Sequence, residues 1–182
     1  WMAIIRKADN IVDSIDALAN ILKFSMSRGD EIVALQEELD NIKSYVFIQN
    51  SRYGGKYKVD YCVDAEIMQY RVVKFILQPA VENAIIHAFK DREGTGSIQI
   101  EGYKEDNSLI LLVRDNGIGM SKEQIDTILS DESSKNRDKK KVTGLGIRIV
   151  DERIKKTYGP QYGLDIQSKA GEGTSVRYTL PV

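Results

Sequence analysis

Apolar residues at helical spacing dominate the first part of the chain. The first stripe has the spacing of one helix face and consists of Ile4, Ala8, Ile11, Ile15, Leu18 and Leu22. Residues 27–30 interrupt it, with Gly29 suited to end one helix and Asp30 to begin the next. The second stripe follows at spacings of three and four and consists of Ile32, Leu35, Leu39, Ile42 and Val46. The short connection predicts an antiparallel helical hairpin.

The hairpin has two possible packing partners. Two helices alone cannot hide both stripes, so the stripes need further apolar surface. They either pack against the rest of the domain as internal core, or meet a second copy of the chain in a four-helix bundle. We favour the homodimer through the N-terminal helices.

The hydrophobic pattern changes period after a turn-rich joint at residues 52–56. Alternating polar and apolar residues predict strands at residues 57–63, 97–103, 162–168 and 174–180, and an apolar run predicts a fifth strand at residues 109–114. Helical spacing predicts helices at residues 67–89, bent or restarted at Pro79, and at residues 121–129 and 144–158. The second and third strands should form a hairpin.

These elements predict an α+β fold. The arrangement is a two-layer sandwich, in which a mixed sheet of about five strands is covered on one face by helices. We divide the chain into a helical hairpin, residues 1–53, and an α+β domain, residues 54–182.

Composition narrows the choice of partners. The chain has 182 residues and a formal net charge of −1, which gives no electrostatic reason to expect nucleic acid or membrane contact. No apolar run is long enough to span a bilayer. The single cysteine, Cys62, falls in a predicted strand, where we expect a buried small hydrophobe and a reducing, cytosolic compartment. The chain starts abruptly inside a helix, so we expect an upstream part to be missing.

Polar residues on one helix face are the first candidates for chemistry. Asn83, His87 and Lys90 follow Pro79 at positions i, i+4 and i+7, and therefore share a side of the helix. An amide oxygen there is a hard ligand suited to Mg²⁺. Taken singly, Asn83 could equally be an exposed helix position, and His87 a packing residue.

Two glycine-rich turns are the second group of candidates. Residues 115–120, Asp-Asn-Gly-Ile-Gly-Met, directly follow an apolar strand and let backbone approach a ligand, although such a sequence is also a common turn. A second pair, Gly144 and Gly146, opens the last helix.

Four ordered motifs then carry a family resemblance. They are residues 78–88, QPAVENAIIHA; 115–120, DNGIGM; 144–147, GLGI; and 171–174, GEGT. They resemble the N, G1 and G2 boxes and the closing GxGT of the gyrase/Hsp90/histidine-kinase/MutL ATPase superfamily, which has the Bergerat-type ATP-binding fold. The motif at residues 78–88 looks like the corresponding motif of LytS/YesM-type sensor histidine kinases. The hairpin resembles that family's helical segment, which follows a phosphoacceptor histidine.

The resemblance implies roles for the matching residues. Asp115 would accept a hydrogen bond from the adenine amino group, with Thr174 supporting the pocket through a water. Asn83 would hold Mg²⁺ between the phosphates of ATP. The implied nucleotide-binding set is Asn83, His87, Lys90, Asp115, Gly117, Gly119, Met120, Gly144, Leu145, Gly146 and Thr174.

The charged segment at residues 130–142 has two interpretations. It reads either as a mobile lid that supplies cations to phosphate or as a solvated surface loop. Its basic residues are Lys135, Arg137, Lys139, Lys140 and Lys141.

The chain departs from the family pattern at two positions. Ile86 stands where many histidine kinases carry a lysine, so phosphate contacts must come from His87, Lys90 or the lid. Pro79 stands where the hydrolytic gyrase and Hsp90 branch has its glutamate base. Glu82 is a catalytic candidate by proximity, but lies about 100° around the helix from Asn83 and cannot simply replace that base.

The resemblance therefore implies the ATP-binding catalytic part of a two-component sensor histidine kinase. The γ-phosphoryl group would go to a histidine upstream of this chain, so we expect no autophosphorylation. The expected partners are a second copy and a response regulator, and the expected place is the cytoplasmic portion of a receptor anchored in the membrane upstream. The alternatives are a hydrolysing ATPase of the same superfamily and a dimerisation module with a decayed nucleotide site.

Overall fold

The computed structural model describes residues 9–26, 31–89, 95–129 and 145–182. Its helices are α1 (Asp9–Met26), α2 (Leu35–Tyr53), α3 (Gln78–Asn83), α4 (Lys122–Leu129) and α5 (Leu145–Tyr158). Its strands are β1 (Ile32–Ala34), β2 (Tyr57–Val63), β3 (Arg71–Val73), β4 (Gly96–Glu105), β5 (Ser108–Asp115), β6 (Gly163–Lys169) and β7 (Gly173–Pro181). A 3₁₀ turn spans Ala65–Ile67, and a π-helical turn spans Ala84–Ala88.

The main sheet has five strands in the order β2-β4-β5-β7-β6. Strand β2 runs parallel to β4, and the remaining pairs are antiparallel. The parallel pair requires a crossover, and α3 lies on it. The mixed five-stranded sheet confirms the α+β fold predicted from the alternating segments.

One face of this sheet and the helices that cover it share a single apolar core. The registers align Ile100 on β4, Val113 on β5 and Val176 on β7, and all three are buried. Helices α2, α3 and α5 complete the same core through residues such as Leu39, Val81 and Ile154. Since side chains alternate along a strand, every second residue on these strands faces the helices.

The helical hairpin is present, but its two stripes have different surroundings. The α2 stripe is buried in the core shared with the sheet, and consists of Leu35, Leu39, Ile42 and Val46. The α1 stripe is exposed: Ile11, Ile15, Leu18 and Leu22 each keep 50% to 57% of their surface accessible. Helix α1 instead buries Ala17, and its Phe24 packs edge-on against Phe75 at 5.1 Å. Internal packing thus accounts for α2, whereas the α1 stripe has no cover among the described residues.

The predicted start of the second helix was wrong. Residues 32–34 form β1, which pairs antiparallel with β3, and α2 begins only at Leu35. The Glu37 side chain accepts a hydrogen bond from the Ala34 backbone N–H at 2.9 Å and so caps the helix at this later point. Pairing with a strand 39 residues away overrides the helical spacing of Ile32.

The helix predicted over residues 67–89, bent or restarted at Pro79, was wrong in its first half, whereas a helix does start beside Pro79. The segment contains β3, then Phe75 at a left-handed φ of 59°, and only then α3 with Pro79 in its first turn. Val72 and Val73 pair with β1, as β-branched residues favour, and the positive φ prevents a continuous helix.

Cys62 is exposed, which corrects the expectation that it is buried. On the edge strand β2, residues such as Tyr61 and Val63 point toward the core. Cys62 lies between them and therefore points to the opposite face. Gln99 Nε2 approaches its sulfur at 3.9 Å. Within the described ranges, no helix has the length and apolar character required to cross a membrane.

Candidate functional site

The two residues implicated in base recognition are direct neighbours across the sheet. Asp115 ends β5 and stands opposite Thr174 near the start of β7. Directly opposite residues in an antiparallel pair project to the same face, and Asp115 lies two positions beyond the buried Val113. Both side chains are half-buried and lie on the helix-covered face at the end of the sheet.

A serine that the sequence reasoning missed joins this pair to the following loop. Ser168 Oγ accepts a hydrogen bond from the Met120 backbone N–H at 2.8 Å and lies 2.9 Å from Thr174 Oγ1. Ser168 Oγ also donates to the Gly173 carbonyl at 2.8 Å. The signal was the β6–β7 hairpin register, which places Ser168 opposite Thr174.

The loop after Asp115 is packed too tightly for side chains at its glycines. Gly119 has a φ of 65°, and a Cβ there would overlap the Lys169 carbonyl oxygen. A Cβ at Gly117 would overlap Ala88. These glycines therefore allow the loop to pack against the β6–β7 turn and the π turn that follows α3.

Asp115 also orders this loop through its own carboxylate. Asp115 Oδ1 accepts a hydrogen bond from the Gly117 N–H at 2.8 Å, two residues along the chain. The Asn116 side chain accepts from the Ser97 N–H at 2.9 Å and ties the loop to β4. The carboxylate of Asp115 thus stabilises the turn and is also the candidate ligand-binding group.

Helix α3 reaches the same loop through its C-terminal π turn. Asn83 is the last residue of α3, His87 lies in the π turn, and both are half-buried. The Ala88 carbonyl oxygen accepts a hydrogen bond from the Ile118 N–H at 3.0 Å. A π-helical turn inside a short helix is a frequent feature of functional sites.

The start of α5 lies beside the start of α3. A Cβ at Gly146 would be only 3.1 Å from the Pro79 ring, so the small residue permits this approach. Leu145 is the first residue of α5. Gly144, Lys90 and the charged segment at residues 130–142 lie outside the described residues.

An open cleft of about 360 Å³ lies at the Asp115 end of the sheet. Its lining includes Asp115, Ser168 and Thr174, but not Asn83 or His87. Within the described ranges, no three His, Cys, Asp or Glu side chains converge as a metal cluster. A cation held by Asn83 would therefore take its other ligands from phosphate and water, which is the usual preference of Mg²⁺.

Comparison with known proteins identifies the family of this arrangement. Residues 69–182 match the family described as "Histidine kinase-, DNA gyrase B-, and HSP90-like ATPase". The chain belongs to this ATPase family. Residues 1–57 match a second family, described as "Histidine kinase", so this match covers the helical hairpin and the joint at residues 52–56.

Named relatives of this ATPase-family chain are bacterial sensor kinases. It is 31% identical over 181 residues to sensor histidine kinase YesM of Bacillus subtilis, covering 100% of this chain and 29% of YesM. It is 33% identical over 168 residues to sensor protein kinase HptS of Staphylococcus aureus, covering 92% of this chain and 32% of HptS. Sensor protein LytS of Bacillus subtilis is 28% identical over 151 residues, 83% of this chain and 25% of LytS. The chain thus spans between a quarter and a third of these relatives.

Solved histidine kinase structures share the fold of the ATPase-family chain. The histidine kinase domain of the Erythrobacter litoralis EL346 blue-light activated kinase has a TM-score of 0.58 at 20% identity, covering 94% of this chain and 74% of that one. The catalytic domain of histidine kinase ThkA has a TM-score of 0.60 at 20% identity, covering 82% and 93%. The likeness extends over the helical hairpin in the first case.

Proposed function

We propose that this chain binds ATP as the catalytic part of a sensor histidine kinase. The observation that carries the proposal is the cross-strand pair of Asp115 and Thr174, held beside a tightly packed glycine loop. In the full-length protein, the γ-phosphoryl group goes to a histidine in a segment upstream of this chain. The named relatives support the proposal because they are sensor kinases of which this chain spans one part.

The adenine end of the nucleotide lies at Asp115. Its carboxylate accepts a hydrogen bond from the adenine amino group. The hydroxyl groups of Ser168 and Thr174 support the pocket through water. Met120 is half-buried against the core and supplies an apolar wall, with Ile118 at the solvent side. Gly117 and Gly119 hold the loop close to its neighbours and so set the position of that wall.

The phosphates lie between α3 and the start of α5. Asn83 would hold Mg²⁺, and the N-terminus of α5, which begins at Leu145, would offer its free backbone N–H groups to phosphate oxygens. His87, Lys90 and the basic residues of segment 130–142 supply the remaining contacts. When bound, Mg²⁺ neutralises phosphate charge during transfer.

The chemistry favours transfer over hydrolysis. Pro79 offers no general base, and Glu82 Oε1 accepts a hydrogen bond from Gln78 Nε2 at 2.7 Å. A histidine acceptor needs no such base, because neutral imidazole is itself a nucleophile and the task is positioning. Glu82 therefore does not act as the catalytic residue in this proposal.

The helical region completes the assignment. Residues 1–53 act as the dimerisation part and residues 54–182 as the ATP-binding domain, with the exposed α1 stripe as the contact between two copies. The phosphorylated full-length kinase passes its phosphoryl group to a response regulator on the cytoplasmic side of the membrane.

Calorimetric titration with ATP and excess Mg²⁺ tests the proposal. We expect saturable binding by the wild-type chain and at least tenfold weaker binding by Asp115→Asn, because an amide nitrogen replaces one of the two acceptor oxygens. Asp106→Asn is the matched control. It makes the same change in the turn before β5, at the opposite end of that strand, and asparagine tolerates the positive φ found there.

Two results would count against the assignment. If millimolar ATP with Mg²⁺ gave no heat of binding, and did not displace ADP from the chain, ATP binding would be excluded. Equal weakening by both substitutions would mean that Asp115 acts on the fold and not on the base.

A further inference from the structure

A buried carboxyl group on α2 holds the start of the candidate nucleotide-binding helix. Glu38 is fully buried, and its two oxygens accept hydrogen bonds from the backbone N–H groups of Phe75 at 2.8 Å and Leu77 at 3.1 Å. These donors belong to the irregular segment directly before α3. Burial raises the pKa of the Glu38 carboxyl to about 7, against the opposing effect of these amides and of Arg153.

Glu38 bonds two backbone N–H groups of this segment, those of Phe75 and Leu77, whereas the N–H of the neighbouring Lys74 donates to the Glu31 carbonyl at 2.8 Å. Phe75 has a left-handed φ of 59°, which places its N–H outside any strand or helix ladder. On the other side, Arg153 of α5 donates to the Lys74 carbonyl at 2.8 Å. Side chains from α2 and α5 therefore add to the backbone bond of Lys74 in holding residues 74–77, and the position of this segment sets where α3 begins.

A second contact continues from α2 to the other end of α3. Asn41 is buried one turn after Glu38, and its Nδ2 donates to Gln78 Oε1 at 2.6 Å. Gln78 Nε2 donates in turn to Glu82 Oε1 at 2.7 Å. Glu82 immediately precedes Asn83, so three side chains connect the hairpin to the neighbour of the candidate Mg²⁺ ligand.

Glu82 also bears on a second residue of α2. Tyr45 of α2 has its pKa raised to about 12, mainly by burial and next by the charge of Glu82. This effect agrees with the hydrogen bonds that connect Asn41 to Gln78 and Gln78 to Glu82. Both Asn41 and Tyr45 belong to the helix that carries Glu38.

We propose that Glu38 and Asn41 are positioning residues of the nucleotide site, through which α2 sets the placement of α3 and of Asn83. This inference rests on the proposed function for its nucleotide readout. We call the hydrogen bonds from Asn41 to Gln78 and from Gln78 to Glu82 the polar bridge. Burying it costs free energy, because Asn41 Oδ1 accepts no hydrogen bond within the described chain. Apolar groups of similar size would serve stability at least as well, so the contribution of the bridge is orientation.

A double-mutant cycle between α2 and α3 measures this contribution. Asn41→Ala and Gln78→Ala are each expected to weaken ATP affinity about fivefold, or about 1 kcal/mol. The double variant should also lose about fivefold, because either substitution alone breaks the bridge. Independent effects would multiply to about 25-fold and would overturn the inference.

Glu38→Gln tests the other contact without creating a cavity. It keeps the shape of the side chain but leaves one acceptor oxygen for two amides, so ATP affinity should fall by about threefold or more. Gln36→Ala is the matched polar control, because its hydrogen bond ends on Asp40 of the same helix. Leu39→Ala is the packing control: it removes buried volume from α2 and should lower stability with little change in affinity.

A readout without nucleotide separates this inference from the proposed function. In NMR spectra of the chain without nucleotide, the side-chain amide resonances of Asn83 should shift in Asn41→Ala and in Glu38→Gln. They should not shift in Gln36→Ala. Unchanged Asn83 resonances in both variants would refute the positioning role, even if ATP binds. Shifted resonances in a chain that binds no nucleotide would support the coupling of α2 to α3 and refute ATP binding.

Discussion

Glu38 is a residue of α2 whose charge state affects the contact between α2 and the segment before α3. Its pKa is raised from 4.5 to about 7 by burial, so the folded chain holds the proton more tightly than the unfolded chain. A raised carboxyl pKa contributes stability that is complete below about pH 4.5 and is lost as pH rises through about 7. We expect the free energy of unfolding to fall by about 3 kcal/mol over this range on account of Glu38.

The difference between wild type and Glu38→Gln in urea unfolding isolates this effect. Other titrating groups contribute to both chains and cancel, because glutamine keeps the size but has no proton to lose. The advantage of wild type should shrink steadily between pH 5 and pH 8, by roughly the amount that linkage gives. A difference independent of pH would show that Glu38 stays ionised in the fold.

The exposed stripe of α1 is the feature that acts at the scale of a whole element. Ile15 and Leu18 are 57% and 51% exposed, although α1 buries other residues against its neighbours. Burying a Leu or Ile side chain contributes roughly 1.5–3 kcal/mol, so pairing of two such stripes gains several times that amount. Leu18→Glu should therefore convert dimer into monomer in sedimentation equilibrium.

A matched substitution on the opposite side of α1 checks that the stripe is responsible. Asn20 is exposed and lies on the side of the helix away from Leu18, so Asn20→Glu should leave the dimer intact. Both variants should keep the unfolding midpoint of the ATP-binding part, since Leu18 lies outside its core. A wild-type chain that stays monomeric at high concentration contradicts the four-helix bundle.

Elements also differ in how far local pattern predicts them. The strands of the main sheet are close to their predictions, because each is seven or more residues long and either alternates along its length or, as in β5, is a continuous apolar run. Strands β1 and β3 have three residues each and exist through their pairing with one another. Three-residue segments carry too little periodicity to be distinguished from the helices beside them.

At the scale of the whole molecule, the proposed function assigns nucleotide binding to this chain and phosphoryl acceptance to a segment outside it. The single histidine of the chain, His87, is half-buried in the π turn after α3. We expect incubation with γ-labelled ATP and Mg²⁺ to leave no acid-labile phosphate on the chain. Mass spectrometry after brief incubation at neutral pH, under conditions that preserve phosphohistidine, checks the result.

The control for this prediction is the unfolding transition in the presence of the same nucleotide. Bound Mg-ATP at a hundred times its dissociation constant should raise the free energy of unfolding by about 2.7 kcal/mol. Stabilisation without labelling is the combination that the proposal requires. Label on His87 would mean that this residue reaches the γ-phosphate as a nucleophile and would contradict its assignment to the binding pocket.

The amino-acid sequence by itself determined the α+β class, the five strands of the main sheet and the candidate nucleotide residues. These depend on local periodicity and on short motifs such as residues 115–120, where strand end and turn are adjacent in the chain. The pairing of Asp115 with Thr174 also lay within reach, because both flank strands of predictable phase.

Only the tertiary structure decided which residues act on one another across the fold. Glu38 meets the amides before α3 from 37 and 39 residues away, Ser168 joins Met120 to Thr174, and α2 is buried while α1 is exposed. The same apolar spacing suits a core helix and a dimer helix, and a buried glutamate looks like any surface glutamate in sequence. Such contacts depend on which surfaces meet, and local pattern carries no information about that.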